Sequence, residues 1–447
     1  MFQRKITEKL LAWKADEKRK PLIVTGLRQI GKTTIVTDFG AKEYSSVLFF
    51  DFRKNKSLQS AFDGDFKVDD IVARLTAFSP SAPAVPHRTL FIFDEIQDCP
   101  NARSSLKYFA LDGRYDVIAT GSLLGVKGYR RSKKPSRGIP VGFEDTIQMY
   151  PMDFEEFCWA AGVNSTALAE IKRDLAERKT IPAFYHQMFL DLFRQYLCVG
   201  GMPEVVETYL ATHDMNQVLA KQRRILADYK SDFGTHLNDD MEIEVDVLAQ
   251  AKILACFDSI PNQLAKENKK FQYSLVGKNG RGKDYYEALE WLEDYGVIQP
   301  CYALSSMEKP LNVYKKDDSF KIYMADTGLY VAMLEAGTSA SILTGELGVS
   351  KGAIYENIVA DAFGKMGKNL YYYRQDSGLE IDFVTMIQGE VSLIEVKAKD
   401  GNAKSAKTIL ADPAKFGVHQ AIKLSAQNIG GTASFLSLPY YLAFDLA

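Results

Sequence analysis

Along the first 125 residues, short apolar runs alternate with longer polar stretches. Leu22, Ile23 and Val24 form the first run, and 46–52 (SVLFFDF), 89–94 (TLFIFD) and 115–119 (YDVIA) follow. Short runs rich in β-branched and aromatic residues predict core strands. The stretches between them carry helical spacing. Phe2, Ile6, Leu10 and Trp13 mark one apolar face on a charged segment, predicting a helix packed on the core, and 68–77 predicts another. Strands alternating with helices predict an α/β layer with a parallel sheet.

Beyond residue 160 the pattern changes. Residues 166–231 read as helices broken at Gly200-Gly201-Met202-Pro203, either a hinge or a helix cap followed by a turn. A short helix over 262–269, a longer one over 283–295 with Tyr286, Leu289 and Leu292 on one face, a strand from Gly296 and a wing over 313–323 predict a winged-helix-like unit. Lys266, Lys269, Lys270, Lys278, Arg281 and Lys283 give it positive charge suited to DNA phosphates. Glu267, Glu287, Glu290 and Glu293 dilute that charge, and interdomain packing competes with DNA binding. A helix over 352–366, strands within 370–385 and 391–399 and a last strand over 435–444 close the chain. The expected division is an α/β core with its N-terminal helix at 1–160, a helical lid and linker at 161–240, a winged-helix-like domain at 241–345 and an α/β domain at 346–447.

Composition narrows the class. The 447 residues are 46% hydrophobic and 25% charged, as in globular proteins, and the formal net charge of −2 gives no global pull toward nucleic acid. The five cysteines are scattered, with no C-x-x-C pair, which argues against a disulfide framework or zinc site and for a cytoplasmic setting. The first twenty residues lack the apolar core of a signal peptide, and no run reaches the ~18 residues of a membrane helix.

The chemistry concentrates after the first two strong strands. Gly26, Leu27, Arg28, Gln29, Ile30, Gly31, Lys32, Thr33 and Thr34 spell G-x-x-x-x-G-K-T-T, the Walker A pattern, between a strand and a helix. Backbone N–H groups and a helix N-terminus there suit ATP phosphates. Lys32 is expected on the β- and γ-phosphates and Thr33 on Mg²⁺. The strand 89–94 ends in Asp94 and Glu95, the Walker B form. Asp94 is expected to hold Mg²⁺ from a strand running parallel beside the first, and Glu95 to polarise the attacking water. Asp51 is either a site-facing acid or a turn residue. Thr120 or Ser122 either senses the γ-phosphate or helps place the attacking water, or merely ends a strand. The basic stretch 127–137 offers Arg130, Arg131 or Arg137 as an arginine finger to a second subunit, a grip on phosphate backbone, or a solvated loop.

The segments GLRQIGKTT, FIFDEIQD, SSLKYF, TGSLLG, PVG and YPMDFEEF, with YLCVGGMPEVV from Tyr196 and SIPNQLAKENKKFQYS from Ser259, resemble uncharacterised prokaryotic AAA-like P-loop ATPases. These carry a C-terminal restriction-endonuclease-like domain of unknown function. The resemblance implies ATP binding and hydrolysis by the residues named. Phe143 stands where such ATPases often carry a basic residue after the PVG glycine, which puts a sensor at that point in doubt.

Near the C-terminus, Glu380-Ile381-Asp382 and Glu395-Val396-Lys397 form a D…E-x-K arrangement that resembles the restriction-endonuclease-like fold. Asp382 and Glu395 on adjacent strands suit one Mg²⁺, Lys397 shares the face of Glu395, and helical Glu356 is expected to complete the metal shell. The expected function is a Mg²⁺-dependent ATPase coupled to a nuclease-like module that processes or binds DNA, with Glu95, Lys32, Asp382, Glu395 and Lys397 as catalytic residues. The alternative is a signalling or scaffold ATPase whose last domain only binds. Nucleotide, DNA, an unidentified protein and further copies of the chain are the candidate partners.

Overall fold

The computed structural model describes residues 1–79, 83–122, 142–237, 243–267, 269–346, 351–398 and 401–446. The basic stretch 127–137, with Arg130, Arg131 and Arg137, lies outside the described residues, as does part of the proline-rich connection before residue 89.

Strands β1 (Leu22–Thr25), β2 (Ser46–Asp51), β3 (Thr89–Asp94), β4 (Asp116–Gly121) and β5 (Asp145–Gln148) form a sheet ordered β2-β3-β4-β1-β5, with every pairing parallel. Helices α1 (Ile6–Ala15), α2 (Lys32–Glu43), α3 (Val68–Phe78) and α4 (Pro100–Asp112) accompany it. Every residue of β3 is buried, which accounts for its unbroken apolar run. Phe52, Phe62 and Phe93 pack with ring centroids 5.5–5.7 Å apart. Burying one such ring contributes about 1.5–3 kcal/mol. On α1, Ile6, Leu10 and Trp13 are buried, as their spacing predicts.

The expected direct neighbourhood of β1 and β3 is not found: β4 lies between them. Sequence order cannot fix spatial order in a doubly wound sheet, where crossover connections skip positions.

Helices α5 (Phe154–Ala160), α6 (Ser165–Glu177), α7 (Ala183–Val199), α8 (Pro203–Thr212) and α9 (Met215–Asp232) follow. A small hairpin of β6 (Thr235–Leu237) and β7 (Ile243–Val245) precedes α10 (Val247–Leu264) and α11 (Gly282–Tyr295). The short helix expected over 262–269 is instead the end of α10. That helix continues past Pro261 because Ile253, Cys256, Phe257, Ile260 and Leu264 bury one face.

The remaining strands form one sheet, ordered β14-β15-β13-β12-β11-β10-β8-β9 among the described residues. They are β8 (Ile298–Leu304), β9 (Lys315–Met324), β10 (Tyr371–Arg374), β11 (Glu380–Ile387), β12 (Glu390–Val396), β13 (Gln420–Ser425), β14 (Gly430–Gly431) and β15 (Phe435–Pro439). Helices α12 (Thr327–Ala332), α13 (Thr338–Thr344) and α14 (Lys351–Lys365) connect β9 to β10. The hairpin read as a wing is built into this sheet, because β8 pairs in parallel with β10. Cys301, Ile322, Tyr323 and Met324 are buried, so the hairpin lacks the solvated faces of a free wing. The apolar tail expected as a strand over 435–444 leaves the sheet at Pro439 and continues as a 3-10 turn over Tyr440–Asp445.

Candidate active site

The loop between β1 and α2 is shaped by its backbone. Gly26 has φ +151°, and a Cβ there would stand 2.2 Å from Met149 O, so only glycine fits under β5. Gly31 has φ +89° at the N-cap of α2. Lys32 is buried, and its Nζ donates to Gly26 O and Leu27 O at 2.9 Å each, which folds the side chain back over its own loop. Burial lowers its pKa to about 8 against the pull of Glu95 and Asp94.

Thr33 Oγ1 donates to Asp94 Oδ1 at 2.8 Å. Thr120, on the intervening strand, also donates its hydroxyl to Asp94 Oδ1 and lies 3.4 Å from the Glu95 amide. Burial raises the pKa of Asp94 and the two hydroxyls oppose that shift. This contact to Asp94 is none of the roles the sequence left open for Thr120. Glu95 adopts φ +53°, a left-handed conformation rare outside glycine, and its carboxylate meets Gln97 Nε2 and, at 3.3 Å, Arg53. Asp51 accepts from the amides of Arg53 and Lys54 at 3.0 and 2.9 Å, as a turn residue does.

Several contacts to this loop come from far along the chain and had no signal in the motif. Buried Arg4 donates to Ile30 O at 3.1 Å and Tyr150 O at 2.7 Å. From α9, Asp232 pairs with Arg28 at 2.5 Å, Asp228 accepts from Gln29 at 2.9 Å, and the Tyr229 hydroxyl donates to Arg28 O at 2.8 Å. Tyr295 donates to Asp232 at 2.9 Å. The Gly200–Pro203 turn joins three parts of the chain. Gly201 N donates to Asp326 at 2.7 Å, Gly201 O accepts from Met152 N at 2.7 Å, and Pro203 lies under Gly31. Met152 O accepts from the Tyr196 hydroxyl at 2.7 Å and from Lys365 Nζ at 3.2 Å.

The C-terminal residues also converge, though not as a three-carboxylate metal shell. Lys397 Nζ contacts Glu395 and lies 3.7 Å from Asp382 Oδ2, while Val396 N donates to Asp382 at 2.8 Å. Burial and then Glu356 push the Asp382 pKa up to about 7, against Lys397. Glu356 is turned to other partners. Lys269 Nζ lies 2.6 Å from one of its oxygens and the Tyr323 hydroxyl 3.1 Å from the other. Among the described residues, no three His, Cys, Asp or Glu side chains are placed together to hold a metal ion. The expected shell of Glu356, Asp382 and Glu395 is not brought together among the described residues: Lys269 faces Glu356, and Lys397 faces Glu395 and Asp382.

Residues 18–158 match the family model described as an AAA domain, a likeness that covers under half of the chain. Residues 190–340 match a domain of unknown function (DUF8612), and 351–440 match another (DUF4143). No curated protein matches the chain. Among solved structures, the ORC2 protein of Aeropyrum pernix in its ADPNP–ADP complexes is similar at 14% identity, over 79% of this chain and 94% of that chain, with TM-score 0.35. The RuvB Holliday junction branch migration motor of Thermotoga maritima is similar at 14% identity over 67% and 89%, with TM-score 0.28. The ORC1 protein of Aeropyrum pernix in complex with DNA is similar at 10% identity over 76% and 90%, with TM-score 0.28. No helix among the described residues is long and apolar enough to cross a membrane.

Proposed function

We propose that the chain binds ATP with Mg²⁺ at the Gly26–Thr34 loop, hydrolyses it, and passes the nucleotide state to its C-terminal module. The observation that carries this is the meeting of Thr33 and Asp94 at 2.8 Å at the strand ends, a hydroxyl and a carboxylate of the kind a hard cation takes. The fit extends to the loop, whose glycines leave backbone amides open to phosphate oxygens. Lys32 leaves the carbonyls of Gly26 and Leu27 for the β- and γ-phosphates. Glu95 holds the attacking water and accepts its proton as it adds to phosphorus. Bound Mg²⁺ would supply neutralisation of the phosphate charge. The turn at Gly201 and Pro203, bonded to Met152 and Asp326, gives the nucleotide loop a route to α14. A phosphate-release assay tests this reading: turnover lost in Glu95→Gln with ATP binding retained supports it, and unchanged turnover overturns it.

A second reading concerns the C-terminal cluster. The convergence of Asp382, Glu395 and Lys397 favours a nuclease-like module that acts on phosphodiesters with Mg²⁺, DNA being the first candidate. Cleavage that disappears in Asp382→Ala and Lys397→Ala supports it. Absence of cleavage on any DNA or RNA form, with ATPase intact, supports a scaffold ATPase whose last domain binds only.

A further inference from the structure

The turn after β3 sets two polar side chains against each other. Glu95 leaves the strand in a left-handed conformation, and Ile96–Asp98 follow as a single 3-10 turn, closed by Asp98 N donating to Glu95 O at 2.9 Å. Ile96, between the two polar residues, is fully buried and anchors the turn in the core. Glu95 and Gln97 are thereby brought into contact, although they are only two positions apart.

The two oxygens of Glu95 differ in their surroundings. Gln97 Nε2 donates to Oε2, and Arg53 Nη2 lies 3.3 Å from the same atom. Arg53 is itself held by Asp98, 2.9 Å from its Nε. Both neighbours thus engage one oxygen, and Oε1 accepts from no described residue. A base acts through an oxygen with lone pairs to spare, so Oε1 is the atom left for a water proton.

Gln97 is equally one-sided. An ionised carboxylate only accepts, so the edge of the amide that faces Glu95 must be its NH₂, and the amide oxygen is then on the other edge. That oxygen is buried and accepts no hydrogen bond among the described residues. Buried polar atoms are nearly always paired, and an exception calls for a reason. Amide nitrogen and oxygen share one carbon, so this acceptor stands within an amide's width of the Glu95 carboxylate. A water molecule has two O–H groups and can serve both oxygens at once.

We propose that Gln97 is the second holder of the attacking water. Its NH₂ keeps Glu95 in place, its Oε1 accepts one O–H of the water, and Glu95 Oε1 accepts the other. The proposal rests on the reading of Glu95 as the base of ATP hydrolysis. The water oxygen forms its bond to the γ-phosphorus as the bond from that phosphorus to the β–γ bridging oxygen breaks, and the electron pair leaves with ADP. The proton facing Glu95 passes to Glu95. The hydrogen held by Gln97 stays on the oxygen and departs with inorganic phosphate. Fixing both O–H groups removes the rotational freedom of the water, so a lone pair is aimed at phosphorus before reaction.

The test is phosphate release by the full chain with Mg²⁺ and ATP, beside the affinity for a non-hydrolysable ATP analogue. Gln97→Met keeps the length of the side chain and removes both polar atoms. Its kcat is expected to fall about thirty- to three-hundredfold, with analogue affinity within about threefold of the parent. Gln97→His retains one donor and one acceptor and is expected to recover kcat to within about tenfold of the parent. Gln97→Lys can still donate to Glu95 but cannot accept, and is expected to stay as low as Gln97→Met. If Gln97→Met does not unfold cooperatively, Gln97→Glu, of the same size and without the donor, carries the comparison at pH 8. Parental kcat in Gln97→Met, or a loss of affinity with kcat unchanged, overturns the proposal, and an inactive Glu95→Gln beside it leaves the base reading standing. Recovery in Gln97→Lys assigns the loss to the hold on Glu95 alone and overturns the water contact. Parental turnover in Glu95→Gln overturns the base reading and the proposal with it.

Discussion

Thr33, in the first turn of α2, meets Asp94, at the end of β3, at 2.8 Å although β1 and β3 are not neighbours. The strand between them supplies Thr120, whose hydroxyl donates to the same Asp94 oxygen. Asp94 is thus held from both sides, and each donor lowers a pKa that burial raises.

Removing one donor should loosen the acid without touching the phosphate loop. Thr120→Val is expected to lower turnover by about ten- to a hundredfold while ATP binding without Mg²⁺ stays near the parent value. Thr120→Ser should restore most of the loss. Steady-state kinetics and nucleotide titrations with and without Mg²⁺ decide it, and a Thr120→Val protein with parental turnover would exclude the positioning role.

Lys32 predicts a proton linkage. In the free protein its pKa is lowered to about 8 by burial. A bound triphosphate favours the charged form and raises that pKa. The complex then holds more protons than the free protein between about pH 7.5 and 9.5, so ATP affinity falls as pH rises through 8. Calorimetry in buffers of different ionisation enthalpy should show proton uptake near pH 8.5 and little at pH 6.5. Lys32→Ala should abolish ATP binding; unchanged affinity would count against the Walker assignment.

The ion pair between Arg28 and Asp232 fixes the loop to α9, and Tyr295 shares the same carboxylate. Asp232→Ala leaves a partly buried guanidinium without that partner and the Tyr295 hydroxyl without its acceptor. The expected cost is about 1–3 kcal/mol, measured by urea unfolding. Tyr229→Phe, which loses one bond to Arg28 O, should cost about 1 kcal/mol.

Which of these features could be read from the chain follows from their range. The Gly26–Thr34 loop and the Asp94-Glu95 pair are local, each set by a strand and the residues that end it. The hold of Asp228 and Asp232 on Gln29 and Arg28 joins residues about two hundred positions apart and follows no motif. The hairpin of β8 and β9 was visible as an apolar pair, but a strand pattern does not say which strand it pairs with. The wing reading failed there, and β10 proved to be the partner. The D…E-x-K spacing brought Asp382, Glu395 and Lys397 together correctly. It could not show that Lys269, which read as surface charge on a DNA-binding unit, is turned inward to Glu356.

Asp382 ties this cluster to pH. Its pKa stands near 7 in the folded chain, raised first by burial and then by Glu356. In the unfolded chain it is about 3.9. Between those values the folded form keeps a proton that the unfolded form has lost, so stability is greatest at the acid end of the window and declines as pH rises through 7. Three pKa units correspond to about 4 kcal/mol, but 17% of the Asp382 side chain is exposed and solvent screens part of it. Asp361, raised to about 7, and Asp445, raised to about 6, act in the same direction, so the informative quantity is a difference between variants. Asp382→Asn keeps an oxygen for the Val396 amide and removes the titration. Relative to the parent it should gain about 1–3 kcal/mol between pH 5 and pH 8, read from denaturant unfolding at both values. A gain that is the same at the two pH values would place the titration of the Asp382 carboxyl outside that window.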